Sequence, residues 1–266
     1  MLAEILEQNR SRKPLVHCIT NYVTANDCAN LVLASGASPI MADDPEEAEE
    51  ITRMCHGLVL NMGTPNPRKL QAMLLAGKEA NRIGHPVVLD PVGVGGSKLR
   101  IEAARKLLQE IHFSVIRGNA SEIQTLVNGT AASRGVDANE IADDPLSIAK
   151  KLANAQNCIV VLTGEKDIVT NGKMSYLVRN GHPMMRFVTG AGCQLSALTG
   201  AYTTANPEKP LVAALAAVCA MGYCGELAFR RLSAQDGNAS YRNYMIDALF
   251  CLRGEALEKG ANYELL

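Results

Sequence analysis

GLVLNMGTPNPRKLQAMLLAGKEANRIGHPVVLD, residues 57–90, decides the fold. Two short apolar runs, 57–62 and 86–90, enclose a segment, 68–83, whose apolar residues return at helical spacing. A buried strand, a helix and a second buried strand in that order predict a βαβ unit with parallel strands. The same grammar extends outward. Further apolar runs lie at 15–20, 38–41, 114–117 and 158–163, and helical patterns at 43–54, 97–110 and 145–154. Alternation of this kind predicts an α/β fold with a central, mostly parallel sheet and helices on both faces.

Residues 168–170 and 174–178 flank an Asn171-Gly172 turn and read as a β-hairpin at the sheet edge. Past Gly192 the pattern is nearly all helical, in 196–204 and 211–232. With 266 residues, 47% of them apolar, and no repeat or linker, one domain over 1–266 is expected. Twenty-six basic against 27 acidic residues leave a net charge of −1, and there is no Trp beside four Phe and seven Tyr. Neither the basic footprint nor the aromatic platform of a nucleic-acid binder is present. The eight cysteines show no zinc or redox spacing, and no export signal or membrane span is evident, so a reducing cytoplasm is the expected location.

The strand ends supply the chemistry. In open α/β sheets ligands gather at the carboxyl ends of the strands, where this chain places Thr20-Asn21, Met41 with Asp43, residues 61–64, 90–93, 117–119 and 163–165. At Val188-Thr189-Gly190-Ala191-Gly192-Cys193 a glycine-rich turn opens a long apolar helix. Its backbone N–H groups and positive helix end form a candidate anion hole at Gly190, Ala191, Gly192 and Cys193. The thiol of Cys193, ordinarily ionising near about 8.5, is expected to be favoured as thiolate by that helix end.

Asp90, ending an apolar strand, and Glu122 are acids suited to magnesium, which keeps several waters and takes one or two carboxylates. Asn119 and Glu122, three apart, equally fit a capping box. Residues 93–98, GVGGSK, lack the order of a P-loop and read as a flexible loop near the site. The acidic cluster at 43–50 reads as a solvated helix start around Pro45, and the five histidines as structural.

The motifs LVHCITN (15–21), SPIMAD (38–43), NMGT (61–64), LDPVGVG (89–95), IRGNASEI (116–123), LTGE (162–165) and VTGAGC (188–193) together resemble the hydroxyethylthiazole kinase family. That resemblance implies a ribokinase-like fold and ATP- and Mg2+-dependent phosphorylation of the primary hydroxyl of 4-methyl-5-(2-hydroxyethyl)thiazole in thiamine salvage. It also implies a homotrimer with sites at subunit interfaces. Carried over by residue, it implies thiazole contacts at Asn21, Met41 and Gly190, ATP contacts at Arg117 and Thr163, and magnesium-associated acids at Asp90 and Glu122. Cys193 then faces the substrate hydroxyl. One departure stands out: where the family motif has Thr between the glycines, this chain has Ala191.

Other readings are a ribokinase-like kinase of another small alcohol, a dehydratase of hydrated nicotinamide cofactor on a related fold, and a noncatalytic thiazole or nucleotide sensor. Cys193, where related kinases and dehydratases commonly carry Asp, argues against the first two. A sensor has no need of a proton acceptor beside a phosphoryl site.

Overall fold

The computed structural model describes residues 1–132 and 144–266; residues 133–143, which the expected domain also spans, lie outside the described residues. In chain order the elements are α1 (Leu2–Arg12), β1 (Leu15–Ile19), α2 (Ala25–Ser35), β2 (Ser38–Ile40), α3 (Ala48–Met54), β3 (Gly57–Asn61), α4 (Pro67–Arg82), β4 (Val87–Asp90), α5 (Lys98–Glu110), β5 (Val115–Asn119) and α6 (Ala120–Ala132). They continue as α7 (Pro145–Gln156), β6 (Ile159–Thr163), β7 (Asp167–Thr170), β8 (Ser175–Val178), α8 (Ala191–Ala205), α9 (Pro210–Arg231), α10 (Asn238–Cys251), α11 (Gly254–Gly260) and β9 (Tyr263–Leu265).

One sheet runs in the order β2-β1-β3-β4-β5-β6-β7-β8-β9. The first six strands are parallel and the last three pairings antiparallel. The parallel strands alternate between two buried faces, as the period of two requires. Val16, Cys18, Val59, Val88 and Val161 point toward the helices α1, α2, α8, α9 and α10, while Leu58, Leu60, Leu89, Ile116 and Val160 point toward α3 to α7. Each fully buried aliphatic side chain contributes about 1.5–3 kcal/mol. Such strands therefore read as continuous apolar runs.

Local chemistry sets the helix ends. Asn66 caps α4 by accepting from the Lys69 N–H at 2.9 Å, with Pro67 in the first turn, and Asp144 caps α7 the same way at 3.1 Å. The inner helix α8 lies close to the sheet because Gly200 leaves room for Val59, where a Cβ would collide with the valine. The long apolar α9, with length and composition enough to cross a membrane, is largely buried here as a core helix.

Three expectations need correction. The hairpin β7–β8 forms around Asn171-Gly172, but it is not the edge: β9 pairs with β8 outside it. The helix expected over 43–54 begins only at Ala48. Before it, the Asp44 carboxylate accepts from the Glu46 N–H at 2.9 Å and pairs with Arg68 of α4 at 2.7 Å, so part of the acidic cluster is a turn tied to the next helix. Finally, the loop 93–98 is anchored rather than free. Gly93 N–H donates to Glu122 at 2.8 Å, Val94–Gly96 forms a 3-10 turn, and Arg100 reaches back to the carbonyls of Met62 and Val92 at 2.9 and 2.7 Å. Helix α2 had no sequence reading and covers the sheet beside α8.

Candidate active site

The strand order reverses direction at β1, between β2 and β3, and a crevice at the carboxyl ends of such strands is where α/β folds bind ligands. Register brings the polar strand ends side by side. Asn61 lies opposite Asp90 on neighbouring strands, and Asn119 opposite Thr163.

Asp90 is fully buried. Its Oδ2 accepts from Asn61 Nδ2 at 2.8 Å and from Ser196 Oγ at 2.7 Å, while Oδ1 has no hydrogen-bond partner and lies 3.7 Å from the Arg117 guanidinium. Burial pushes its carboxyl up to about 6, against the pull of Arg117 and Ser196. Arg117 in turn donates to Thr163 Oγ1 at 2.7 Å, and its buried Nε is unpaired. A Cβ on Gly192 would run into this guanidinium, so the glycine is what lets arginine lie against the first turn of α8.

Gly190, with φ +80°, is the N-terminal cap of α8, and a Cβ there would meet Thr24. The left-handed backbone and the close approach both require glycine. Cys193 sits one turn later, buried, with Asn21 Nδ2 at 3.5 Å from its sulfur. The same amide nitrogen donates to Asn61 Oδ1 at 2.9 Å, and Asn21 Oδ1 accepts from the N–H groups of Val23 and Thr24, each at 3.1 Å. The expected thiolate is not favoured. Burial, followed by the nearby Asp90 charge, raises the Cys193 thiol above its ordinary value, and hydrogen bonds from Asn61, Thr24 and Asn21 only partly oppose them. Desolvation outweighs the helix end because it acts on the whole thiolate charge, whereas the helix end supplies about half a charge.

Glu122 accepts from Asn119 N–H at 2.9 Å while its own N–H donates to Asn119 Oδ1 at 2.9 Å, the reciprocal pair of a capping box. Its other oxygen accepts from Gly93. Met41 follows β2 at the sheet border, 38% exposed, and lies outside the hydrogen-bonded network; Tyr22 and Val23, which follow Asn21, are 78% and 58% exposed. Asn21, Gly190, Ala191, Gly192, Cys193, Asp90, Arg117 and Thr163 are thus brought together directly, and Glu122 adjoins them through Gly93.

Sequence reasoning left four participants unassigned. Ser196 stands three residues after Cys193 on one helix face, a spacing that could have found it. Asn61 acquires its place from sheet register. Lys69 of α4 is buried, donates from Nζ to the Thr20 carbonyl at 3.0 Å and pairs with Asp43 at 3.4 Å, tying two strand-end loops together. Asp167 accepts from Gly164 N–H at 2.9 Å, and burial pushes its carboxyl up to about 6 against the pull of Arg117.

Among the described residues no group of three or more His, Cys, Asp or Glu gathers as a metal cage. The unpartnered Oδ1 of Asp90 and the neighbouring Glu122 instead fit a hard cation that arrives with phosphate and retains most of its water.

The model of the hydroxyethylthiazole kinase family matches residues 6–255. The chain belongs to this family. A hydroxyethylthiazole kinase from Clostridium acetobutylicum is 55% identical over 271 residues, covering 99% of each chain. A solved hydroxyethylthiazole kinase from Pyrococcus horikoshii superposes with a TM-score of 0.90 at 33% identity, over 100% of this chain and 98% of the other. A Staphylococcus aureus pyridoxal kinase, at TM-score 0.61 and 16% identity over 96% of this chain and 98% of that one, shares the fold. The architecture is ribokinase-like, and members of the hydroxyethylthiazole kinase family are phosphotransferases.

Proposed function

We propose that this chain transfers the terminal phosphoryl group of ATP to the primary hydroxyl of 4-methyl-5-(2-hydroxyethyl)thiazole, a step of thiamine salvage in the cytoplasm. The observation that carries the reading is the convergence of three groups on one helix turn: the glycine N–H groups at 190–192, the Arg117 guanidinium packed on Gly192, and the Cys193 sulfur. Phosphoryl transfer has a loose, highly charged transition state, so positioning and electrostatics dominate over covalent chemistry. Preorganised N–H donors and a largely shielded arginine suit it.

In this reading the N–H groups of Gly190, Gly192 and Cys193 hold the transferring group, while that of Ala191, also expected there, is already donated to the Val188 carbonyl at 3.3 Å. Arg117, with Thr163, holds the adjoining nucleotide phosphates. Asp90 and Glu122 hold Mg2+, which when bound neutralises phosphate charge. Asn21, Met41 and Gly190 line the thiazole subsite. Because both lone-pair sites and both N–H bonds of the Asn21 amide are already engaged within the protein, in this reading its side chain orients Cys193 rather than gripping the ligand.

The alcohol loses its proton as the new O–P bond forms, and the thiolate form of Cys193 accepts it. Since the thiol is raised, that form is a minority at neutral pH. The reading takes residues 1–266 as one domain in a homotrimer with sites at subunit interfaces; the outward Tyr22 and Val23 next to Asn21, and Met41 at the end of β2, support this, as exposed apolar surface invites cover.

The test is ADP formation from Mg-ATP with and without the thiazole alcohol, with the product weighed by mass spectrometry. Alcohol-dependent ADP release and a product heavier by one phosphate support the reading. Binding of both ligands without turnover points to the sensor, and absence of thiazole binding points to another small alcohol.

A further inference from the structure

Asn61 is buried at the end of β3, and its carboxamide meets three elements of the site at once. Oδ1 accepts from the Gly63 N–H at 2.9 Å and from Asn21 Nδ2 at 2.9 Å, while Nδ2 donates to Asp90 Oδ2 at 2.8 Å. The Gly63 N–H fixes which end of the amide is oxygen, because a flipped amide would set two donors against each other. Asn21 is fixed in the same way by the N–H groups of Val23 and Thr24. Its remaining N–H bonds then have one arrangement, one toward Asn61 and one toward the Cys193 sulfur at 3.5 Å. Two locked amides thereby join the thiol on α8 to the acid at the end of β4.

We propose that Asn61 is a positioning residue for phosphoryl transfer, holding Asp90 through its nitrogen and, through Asn21, the Cys193 sulfur through its oxygen. The assignment rests on the kinase reading, and no contact between Asn61 and substrate is invoked. It sets the distance between the group that takes the alcohol proton and the acid beside the phosphates. Fixed partners behind reacting groups commonly matter by about 10–100-fold in activity.

Asn61→Ala removes both arms, and Asn61→Asp, the same size, keeps the acceptor arm and replaces the donor facing Asp90 with an oxygen. Both variants are compared with wild type for folding by thermal melting, for kcat and KM of the thiazole alcohol, and in the Cys193→Ser background. The S–H stretching band of Cys193, isolated by infrared difference against Cys193→Ser, reports the sulfur's surroundings without turnover.

The expected result for Asn61→Ala is kcat lower by about 10–100-fold with KM within about threefold. The S–H band shifts, and the loss is smaller when Cys193 is already Ser, because groups acting as a unit are not additive. Asn61→Asp lowers kcat and also shifts the S–H band, because the Asn61 amide faces the Cys193 sulfur as well as Asp90, and it carries the test if Asn61→Ala fails to fold. Wild-type kcat in either variant, a loss that multiplies fully with Cys193→Ser, or an unmoved band in either folded variant overturns the proposal. If wild type itself transfers no phosphate, the kinase reading falls separately, and the band alone then decides whether Asn61 sets the thiol's surroundings.

Discussion

Replacing Asp90 by Asn should stabilise the unliganded protein while abolishing the activity proposed for it. The carboxyl is fully buried, and its ionisation is displaced from the ordinary 3.8 up to about 6, chiefly by loss of water. A displacement of about two units corresponds to about 3 kcal/mol. The folded state binds the proton more tightly than the unfolded chain, so stability from this group is fully present below the unfolded value and is lost as pH rises through about 6. Asn does not titrate, and its oxygen can still accept from Asn61 and Ser196. The stability advantage of Asp90→Asn should therefore grow with pH, by about 1.3 kcal/mol between about pH 5 and 7. Urea unfolding of both proteins at matched ionic strength across that interval measures it, and turnover should fall by at least about 100-fold through loss of the charge opposite Arg117 and the cation. A gap in stability that stays flat with pH, or a variant uniformly less stable, refutes the argument that Asp90 is held as a charge at the expense of the fold.

Three further outcomes are expected. Cys193→Ser lowers kcat by about 100-fold or more with thiazole affinity nearly unchanged, as removal of a proton acceptor does. Wild-type kcat rises with pH into the alkaline range, following the raised thiol, whereas Cys193→Asp retains activity and loses that rise; a pH-independent wild type removes the thiol from proton transfer. Gly192→Ala drives a methyl into the Arg117 guanidinium, and nucleotide affinity should drop by about 10–100-fold, the worth of a charge-assisted hydrogen bond. Isothermal titration with ATP checks this, and unchanged affinity removes Arg117 from nucleotide binding. Glu122→Gln keeps one of the two backbone acceptors, so melting should show a loss within the about 0.5–2 kcal/mol range of a helix cap, while the Mg2+ concentration needed for half-maximal rate rises. An unchanged Mg2+ requirement returns Glu122 to a purely capping role.

The parallel half of the fold was legible because buried strands and amphipathic helices carry different periods, and residues 57–90 show both without ambiguity. What escaped was short or set by distant partners. Strand β9 is three residues long, too short for any period, and exists because β8 offers it an unpaired edge. Helix α3 starts later than its acidic residues suggest because Arg68, from the next helix, draws Asp44 into a turn. At the site, position at strand ends singled out Asp90 and Arg117, and the glycine-rich helix start singled out Cys193, as candidates that the fold then places side by side. Their ionisation was not legible, since the sign at Cys193 turns on burial, and the sequence shows the helix end but not the depth of the sulfur. Asn61 opposite Asp90 is a fact of register, which a strand pattern alone does not fix.

The same features explain why the site is built from partly satisfied groups. Asp90 Oδ1 and Arg117 Nε are buried without hydrogen-bond partners, although most buried polar atoms in proteins have them. Each such atom costs about 1–3 kcal/mol. Two locked carboxamides and Ser196 prevent the acid from turning away to find another partner. A ligand that brings phosphate and a cation supplies what the protein withholds, so its binding should stabilise wild type by more than it stabilises Asp90→Asn. In the variant the unpaired acid no longer waits for a cation. Melting temperatures with and without Mg-ATP in the two proteins then separate a group that stores binding energy from one that merely contacts the ligand. Equal shifts in both would mean that the instability at Asp90 belongs to the fold alone.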